Sequence, residues 1–201
     1  MVSGDEVREA VLDMSPTSLA SLDGFNDTFY HKCWSIIATD VIEFMKSFFN
    51  GNKLTRFYSH TCLVLISKVD SPTTFADFRP ISLSNFSAKI ISKILARRLN
   101  PLLPKLISEN QSGFVKGRLI TDNVLLAQEI IHGISEPNTR GNMVIRLDMA
   151  KAYNRVSWEF LLSVFRNFGF SSWWTEAIGR LISEVWYSII VNGTRRDFFK
   201  D

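Results

Sequence analysis

Asp148 is the residue whose type and setting most directly suggest chemistry. It stands within Met143–Met149, MVIRLDM, a run that alternates well enough for a strand and is otherwise largely apolar. A carboxylate in such a run is costly to bury unless something compensates its charge. Two partners are open on the residues alone: a metal ion, or a cation of the chain itself, Arg146 or Lys151. A second feature is cationic. Lys89, Lys93 and Arg97 recur every four residues, with no Asp or Glu between Lys89 and Lys105, so they fall along one side of a helix. Such a stripe is either a contact for nucleic-acid phosphates or a solvated surface. Cys33, Cys62, His31, His60 and His132 show no metal-ligand spacing, so a zinc site has no support and both thiols read as reduced.

The elements that must position these residues follow from periodicity. Helices are expected over 5–14, with Val7, Ala10, Val11 and Met14 on one side, and over 30–49, with Trp34, Ile37, Val41, Phe44, Met45 and Phe48. Cys62–Ile66 is an apolar run of strand length, followed by a loop or hairpin over 67–80. The clearest helix is 85–99, ended by Pro101 and Pro104. Another covers about 121–134, capped by Thr121 or Asp122. Ser157 opens a helix closed by Gly169, and Ser171 or Ser172 caps the next. Tyr187–Val191 reads as a strand, Asn192–Gly193 as a hairpin turn, and 194–200 as the returning strand.

Composition narrows the class. A hydrophobic share of 46% against 21% charged is that of a chain with a core, not a disordered tail. A net charge of +3 is too small to establish nucleic-acid binding by itself. No run of about 20 apolar residues is present to span a membrane. The opening MVSGDEVREA is acidic and polar, unlike a signal peptide, so an intracellular protein, cytoplasmic or nuclear, is expected.

Several ordered motifs then carry a resemblance. RPISL at 79–83, QSGFVKGR at 111–118 and RLDMAKAYNRV at 146–156 resemble reverse transcriptases, most closely those of plant non-LTR (LINE-type) retrotransposons. FYHKCW, LVLISKV, AKIISKILARRL, the dipeptide Asp122–Asn123 and IIVNG extend the resemblance over almost the whole chain. It implies an α/β (α+β) fold of the right-hand polymerase type. Helical fingers would occupy 1–140 and the start of an antiparallel palm sheet 141–201. It further implies that Asp148 is the catalytic carboxylate holding two magnesium ions, with the main-chain carbonyl of Met149 as another ligand. Tyr153 would exclude a 2′-hydroxyl, beside a small Ala152. Lys68, Arg79 and Arg118 would contact the phosphates of a deoxynucleoside triphosphate. Gln111, Gly113 and Phe114 would lie beside the template, and Lys89, Lys93 and Arg97 against an RNA template or DNA primer.

The chain departs from the family pattern at Asn154, where an Asp usually follows KAY, and at Leu22 and Ser67, where prolines are usual. The family's later GLRQGDPLSP box and Ala-Asp-Asp turn do not occur in these 201 residues. The expectation is an RNA-directed DNA polymerase domain of a non-LTR retrotransposon that is incomplete and inactive as this fragment, with weak or absent magnesium binding. A non-catalytic nucleic-acid-binding remnant and a pseudogene product stay open as alternatives. An under-covered core is expected to leave Trp158, Phe160, Trp173 and Trp174 exposed.

Overall fold

The structure, a computed structural model, describes residues 1–15, 21–135, 142–149 and 155–200. In chain order its first elements are α1 (Gly4–Leu12), α2 (Asp27–Lys32), α3 (Trp34–Phe49), α4 (Arg56–Ser59), β1 (His60–Ser67), β2 (Phe78–Ser84) and α5 (Phe86–Leu99). Then come α6 (Leu103–Leu106), α7 (Ile120–His132), α8 (Trp158–Asn167), α9 (Ser172–Ser183), β3 (Trp186–Val191) and β4 (Thr194–Lys200). The chain forms two compact units, one of residues 1–95 and 158–201, the other of 96–157.

The first unit owes its core to three helical stripes. Ser3 caps α1 by accepting from the Glu6 amide at 3.1 Å, and Val7, Ala10 and Val11 are fully buried. Met45, Phe48 and Phe49 close the end of α3, and Phe86, Ile90, Ile91, Ile94 and Leu95 form the inner side of α5. Each such side chain contributes about 1.5–3 kcal/mol by leaving water. The single helix expected over 30–49 is two. Cys33 takes φ −94° and ψ 7°, so it ends α2 and precedes α3. Ser171 caps α9 as expected, accepting from the Trp174 amide. The Trp173 indole then donates to the Phe49 carbonyl at 2.9 Å. Trp174 is buried and Trp173 half-buried, against the expectation of exposure, because Trp173 stacks on Phe49 of α3 and Trp174 packs on Phe165 and Phe170. Trp158 and Phe160 do remain exposed.

A four-stranded sheet in the order β2-β1-β3-β4 completes this unit. β1 pairs antiparallel with β2, and β3 antiparallel with β4. β1 and β3 run parallel, with Cys62 beside Ser188, so the sheet is mixed where an antiparallel one was expected. Parallel neighbours require a long crossover, and here it is the whole chain from 68 to 185. The strands beyond residue 140 thus share one sheet with β1. β2 contains Pro80, which an edge strand tolerates. Asn192 and Gly193 both take positive φ, 51° and 74°, the signature of a type I′ hairpin turn.

The second unit has fewer buried side chains. α7 begins at Ile120 with Leu119 before it and no side-chain cap, rather than at Thr121 or Asp122. Leu125, Ile130 and Ile131 on it are exposed. Residues 142–149 form no strand, which corrects the expected strand Met143–Met149. A strand is stable only where a neighbour completes its backbone hydrogen bonds. The described strands are all in the first unit, and 142–149 pairs with none of them.

Candidate nucleotide and nucleic-acid site

Two of the expected phosphate contacts stand on one hairpin. In the β1–β2 register Arg79 lies opposite Ile66 and Phe78 opposite Ser67. Burial falls along β1, from His60, Thr61 and Cys62 inside to Ile66 and Ser67 outside, so the far end of the hairpin meets solvent. Arg79 is exposed there. Lys68 follows β1 directly. Its amide donates to the Asp77 carbonyl and its ammonium to the Ala76 carbonyl, both at 2.7 Å.

The connection is shaped by a residue that the sequence reading passed over. The Asp77 carboxylate accepts from the amides of Thr74 at 2.8 Å and Thr73 at 3.0 Å, and from the Thr74 hydroxyl. These donors hold its carboxyl below the ordinary carboxylate range, the Thr74 amide foremost. The signal was legible as Thr74-Phe75-Ala76-Asp77, an acid three residues after a threonine, the spacing of a capping box.

The QSGFVKGR segment folds around its own arginine. Arg118 Nη1 donates to the carbonyls of Ser108 and Gln111, each at 2.6 Å, and Nη2 to those of Ile107 at 3.1 Å and Pro104 at 3.3 Å. A guanidinium offers five N–H donors in a fixed fork, and here the fork is turned on the end of α6 and the loop after it. In this structure Arg118 therefore organises the loop, where a phosphate contact was expected. Gln111 donates through Nε2 to the Gly113 carbonyl at 3.2 Å. Ser112 and Val115 are buried beneath, while Phe114 is 89% exposed with φ 64°. A bulky residue in the left-handed region stores about 1–3 kcal/mol unless its surroundings hold it there. Gly117 has φ 87°, so it is the glycine this turn demands; Gly113 has ordinary φ.

Asp148 and Met149 are exposed and lie in irregular chain. Ala152 and Tyr153 fall outside the described residues, as do Lys151 and Asn154. Among the described residues no three His, Cys, Asp or Glu side chains come together as a metal site. A pair of magnesium ions needs several carboxylates, and the described residues bring no such group to Asp148. On α5, Lys93 is committed to Asp13, Nζ to Oδ2 2.7 Å, and Lys89 and Arg97 are half-buried. The stripe is thus neither bare nor fully solvated. No described helix is long and apolar enough to cross a membrane.

Comparison with known proteins decides the family. Residues 66–200, about two thirds of the chain, match the family described as "Reverse transcriptase (RNA-dependent DNA polymerase)". The chain belongs to the reverse transcriptase family. Within the curated proteins it is similar to the "Transposon TX1 uncharacterized 149 kDa protein" of Xenopus laevis, 27% identical over 166 residues. That alignment takes in 83% of this chain and 13% of the relative, so the chain spans about an eighth of the relative's length.

The matched region of this reverse transcriptase chain contains Lys68, Arg79, the Arg118 loop and Asp148. Only the first two are brought together by described hydrogen-bonded structure. Asp77, which holds the hairpin loop, had its capping-box spacing as a signal, whereas Asp13, which holds Lys93, is revealed by distance alone.

Proposed function

We propose that this chain is part of an RNA-directed DNA polymerase domain from a non-LTR, LINE-type retrotransposon of the plant kind. The exposed end of the β1–β2 hairpin would take the phosphates of a deoxynucleoside triphosphate paired to an RNA template. The observation that carries this reading is the register Ile66–Arg79, which sets a guanidinium beside Lys68 on one exposed hairpin end. A forked guanidinium and a point-charge ammonium neutralise phosphate oxygens from two sides. The transposon relative supports the mobile-element origin. β3 and β4 share β1's sheet, which supports counting 186–200 with the fingers and leaves 141–157 as the approach to the palm.

On this reading Gln111, Gly113 and Phe114 border the template, and Tyr153 with Ala152 select the deoxy sugar by shape. Asp148 is the catalytic carboxylate, and Met149 lends its carbonyl. The family's magnesium dependence carries over wherever further carboxylates join Asp148. A second reading, binding of nucleic acid without polymerisation, needs only the exposed cations of the hairpin, which hold phosphates without a metal.

The test is titration of the chain with an RNA–DNA primer hybrid at several salt concentrations, alone and with a complementary deoxynucleoside triphosphate. Affinity should fall steeply with salt, and Arg79→Ala should reduce the logarithmic salt slope by about 1. Binding indifferent to salt and to Arg79→Ala would sink both readings. Primer extension separates them: incorporation abolished by Asp148→Ala supports polymerisation by this chain, and no incorporation supports binding alone.

A further inference from the structure

At the opposite end of β1 from Lys68 lies a cavity of about 280 Å³, walled by Arg56, Phe57, His60, Asn85, Arg195 and Phe198, all within the first unit. His60 precedes Lys68 by eight residues, roughly 25 Å along a strand at about 3.3 Å per residue, so this is not the hairpin site.

Its walls have a specific chemistry. Two guanidinium groups line it and, among the described residues, no carboxylate does. Arg56 is held in place by stacking, its guanidinium carbon 4.1 Å from the Phe198 ring centre and 4.7 Å from that of Trp186. His60 is buried, with Nε2 2.8 Å from the Ser188 hydroxyl. Burial first, then Arg195 and Arg56, lower its pKa and so favour the neutral imidazole. Asn85 is 2% exposed. Its Nδ2 donates to the Phe57 carbonyl, while its Oδ1 is buried with no partner among the described residues. A buried acceptor left without a donor is destabilising, and this one is sealed from solvent, so Asn85 offers the cavity no open acceptor. The remaining walls are the Phe57 and Phe198 rings and Leu22. The volume far exceeds the ~30 Å³ of a water molecule and approaches the ~300 Å³ at which small-molecule sites begin.

We propose that this cavity binds an organic phosphate of nucleotide chemistry, its phosphate between Arg56 and Arg195 and its flat base against Phe57 and Phe198. Nothing in this assignment requires the chain to polymerise. The ligand is either a free mononucleotide or the phosphorylated end of a strand, and both present the same groups.

The experiment follows the His60 ring by NMR in the 201-residue chain, its signal identified among the three histidines by His60→Gln. The probes are adenosine 5′-monophosphate, adenosine, inorganic phosphate and a short 5′-phosphorylated oligodeoxynucleotide. The monophosphate should move the His60 signal saturably and raise its pKa, because an anion between Arg56 and Arg195, the charged groups facing the ring, favours the imidazolium. Arg195→Gln, at an exposed strand position, should weaken binding at least about tenfold with melting unchanged; Arg56→Gln should weaken it as much, with some loss of melting temperature because its stacking on Phe198 and Trp186 goes too. Adenosine and phosphate separately should each bind at least about tenfold more weakly than the nucleotide. Oligonucleotide binding with the same Arg195 dependence identifies a strand end as the source; binding of the monophosphate alone identifies a free nucleotide. A His60 signal unmoved by millimolar monophosphate overturns the proposal. So does phosphate binding as tightly as the nucleotide, or an affinity that Arg195→Gln leaves intact. Loss of the shift on Arg79→Ala would assign the binding to the hairpin and overturn it too, whereas failure of the hairpin alone would leave this cavity's titration unchanged.

Discussion

The Arg118 guanidinium donates to the main-chain oxygen of Gln111 at 2.6 Å, so the last residue of the QSGFVKGR segment closes on its first. Three more carbonyls, those of Ser108, Ile107 and Pro104, share the same cation. A residue read as a ligand contact thus shapes the loop that would border the ligand.

Removing that cation strands several carbonyls at the end of α6. Arg118→Ala should cost about 1.5–3 kcal/mol locally, the worth of hydrogen bonds to a charged group. Arg118→Lys should recover only part, because a point charge lacks the fork. Amide hydrogen exchange across 104–118 is the measurement. Unchanged protection in the alanine variant would show that the loop is held by something else.

The same loop contains two left-handed residues of opposite expectation. Gly117→Ala should destabilise by roughly 1–2 kcal/mol, since a Cβ is penalised at φ 87° whatever space surrounds it. Phe114→Gly removes an exposed ring from φ 64° and should be neutral or mildly stabilising in urea unfolding. Its effect on template binding then reports on the ring alone.

Asp77 offers a pH test. Its folded pKa lies below the ordinary 3.8, so the carboxylate's contribution is complete above that value and is lost as pH falls through the folded pKa. Protection of the Thr73 and Thr74 amides, taken relative to their intrinsic exchange rates, should fall in that acid window and stay level between pH 5 and 8. Asp77→Asn should remove the acid step and disturb the Lys68 contact with Ala76 at every pH. An identical profile in both proteins would refute the assignment.

Lys93 and Asp13 form a partly exposed pair, with side-chain exposures of 34% and 60%. A double-mutant cycle with Lys93→Met and Asp13→Asn should find a coupling of about 0.2–1 kcal/mol that shrinks in high salt. If Lys93 also serves nucleic acid, Asp13→Asn should strengthen hybrid binding by releasing it. A coupling above this range would mark the pair as part of the core's support.

Much of the frame was open to reading from local pattern. The buried sides of α1 and α5, the Ser171 cap and the Asn192–Gly193 turn each depend on residues within a few positions of one another. A helix completes its hydrogen bonds within four residues, and a tight turn is decided by which residues accept positive φ. The three main motifs of the family resemblance, RPISL, QSGFVKGR and RLDMAKAYNRV, are likewise contiguous, and the family match spans them.

What the pattern could not settle needed partners distant in the chain. Met143–Met149 has strand-like alternation, yet a strand exists only where another lends its edge, and β1 instead takes β2 on one side and β3 on the other. Lys93 looked like one member of a basic stripe until Asp13, eighty residues earlier, came within 2.7 Å. Arg118 carried the charge a phosphate would want, and the nearest oxygens turned out to be carbonyls of its own loop. Sequence alone determined which residues carry charge, aromatic rings and backbone freedom. Only the tertiary structure decided what each one meets, because a charge's role depends on the acceptor a few ångströms away and not on its neighbours along the chain.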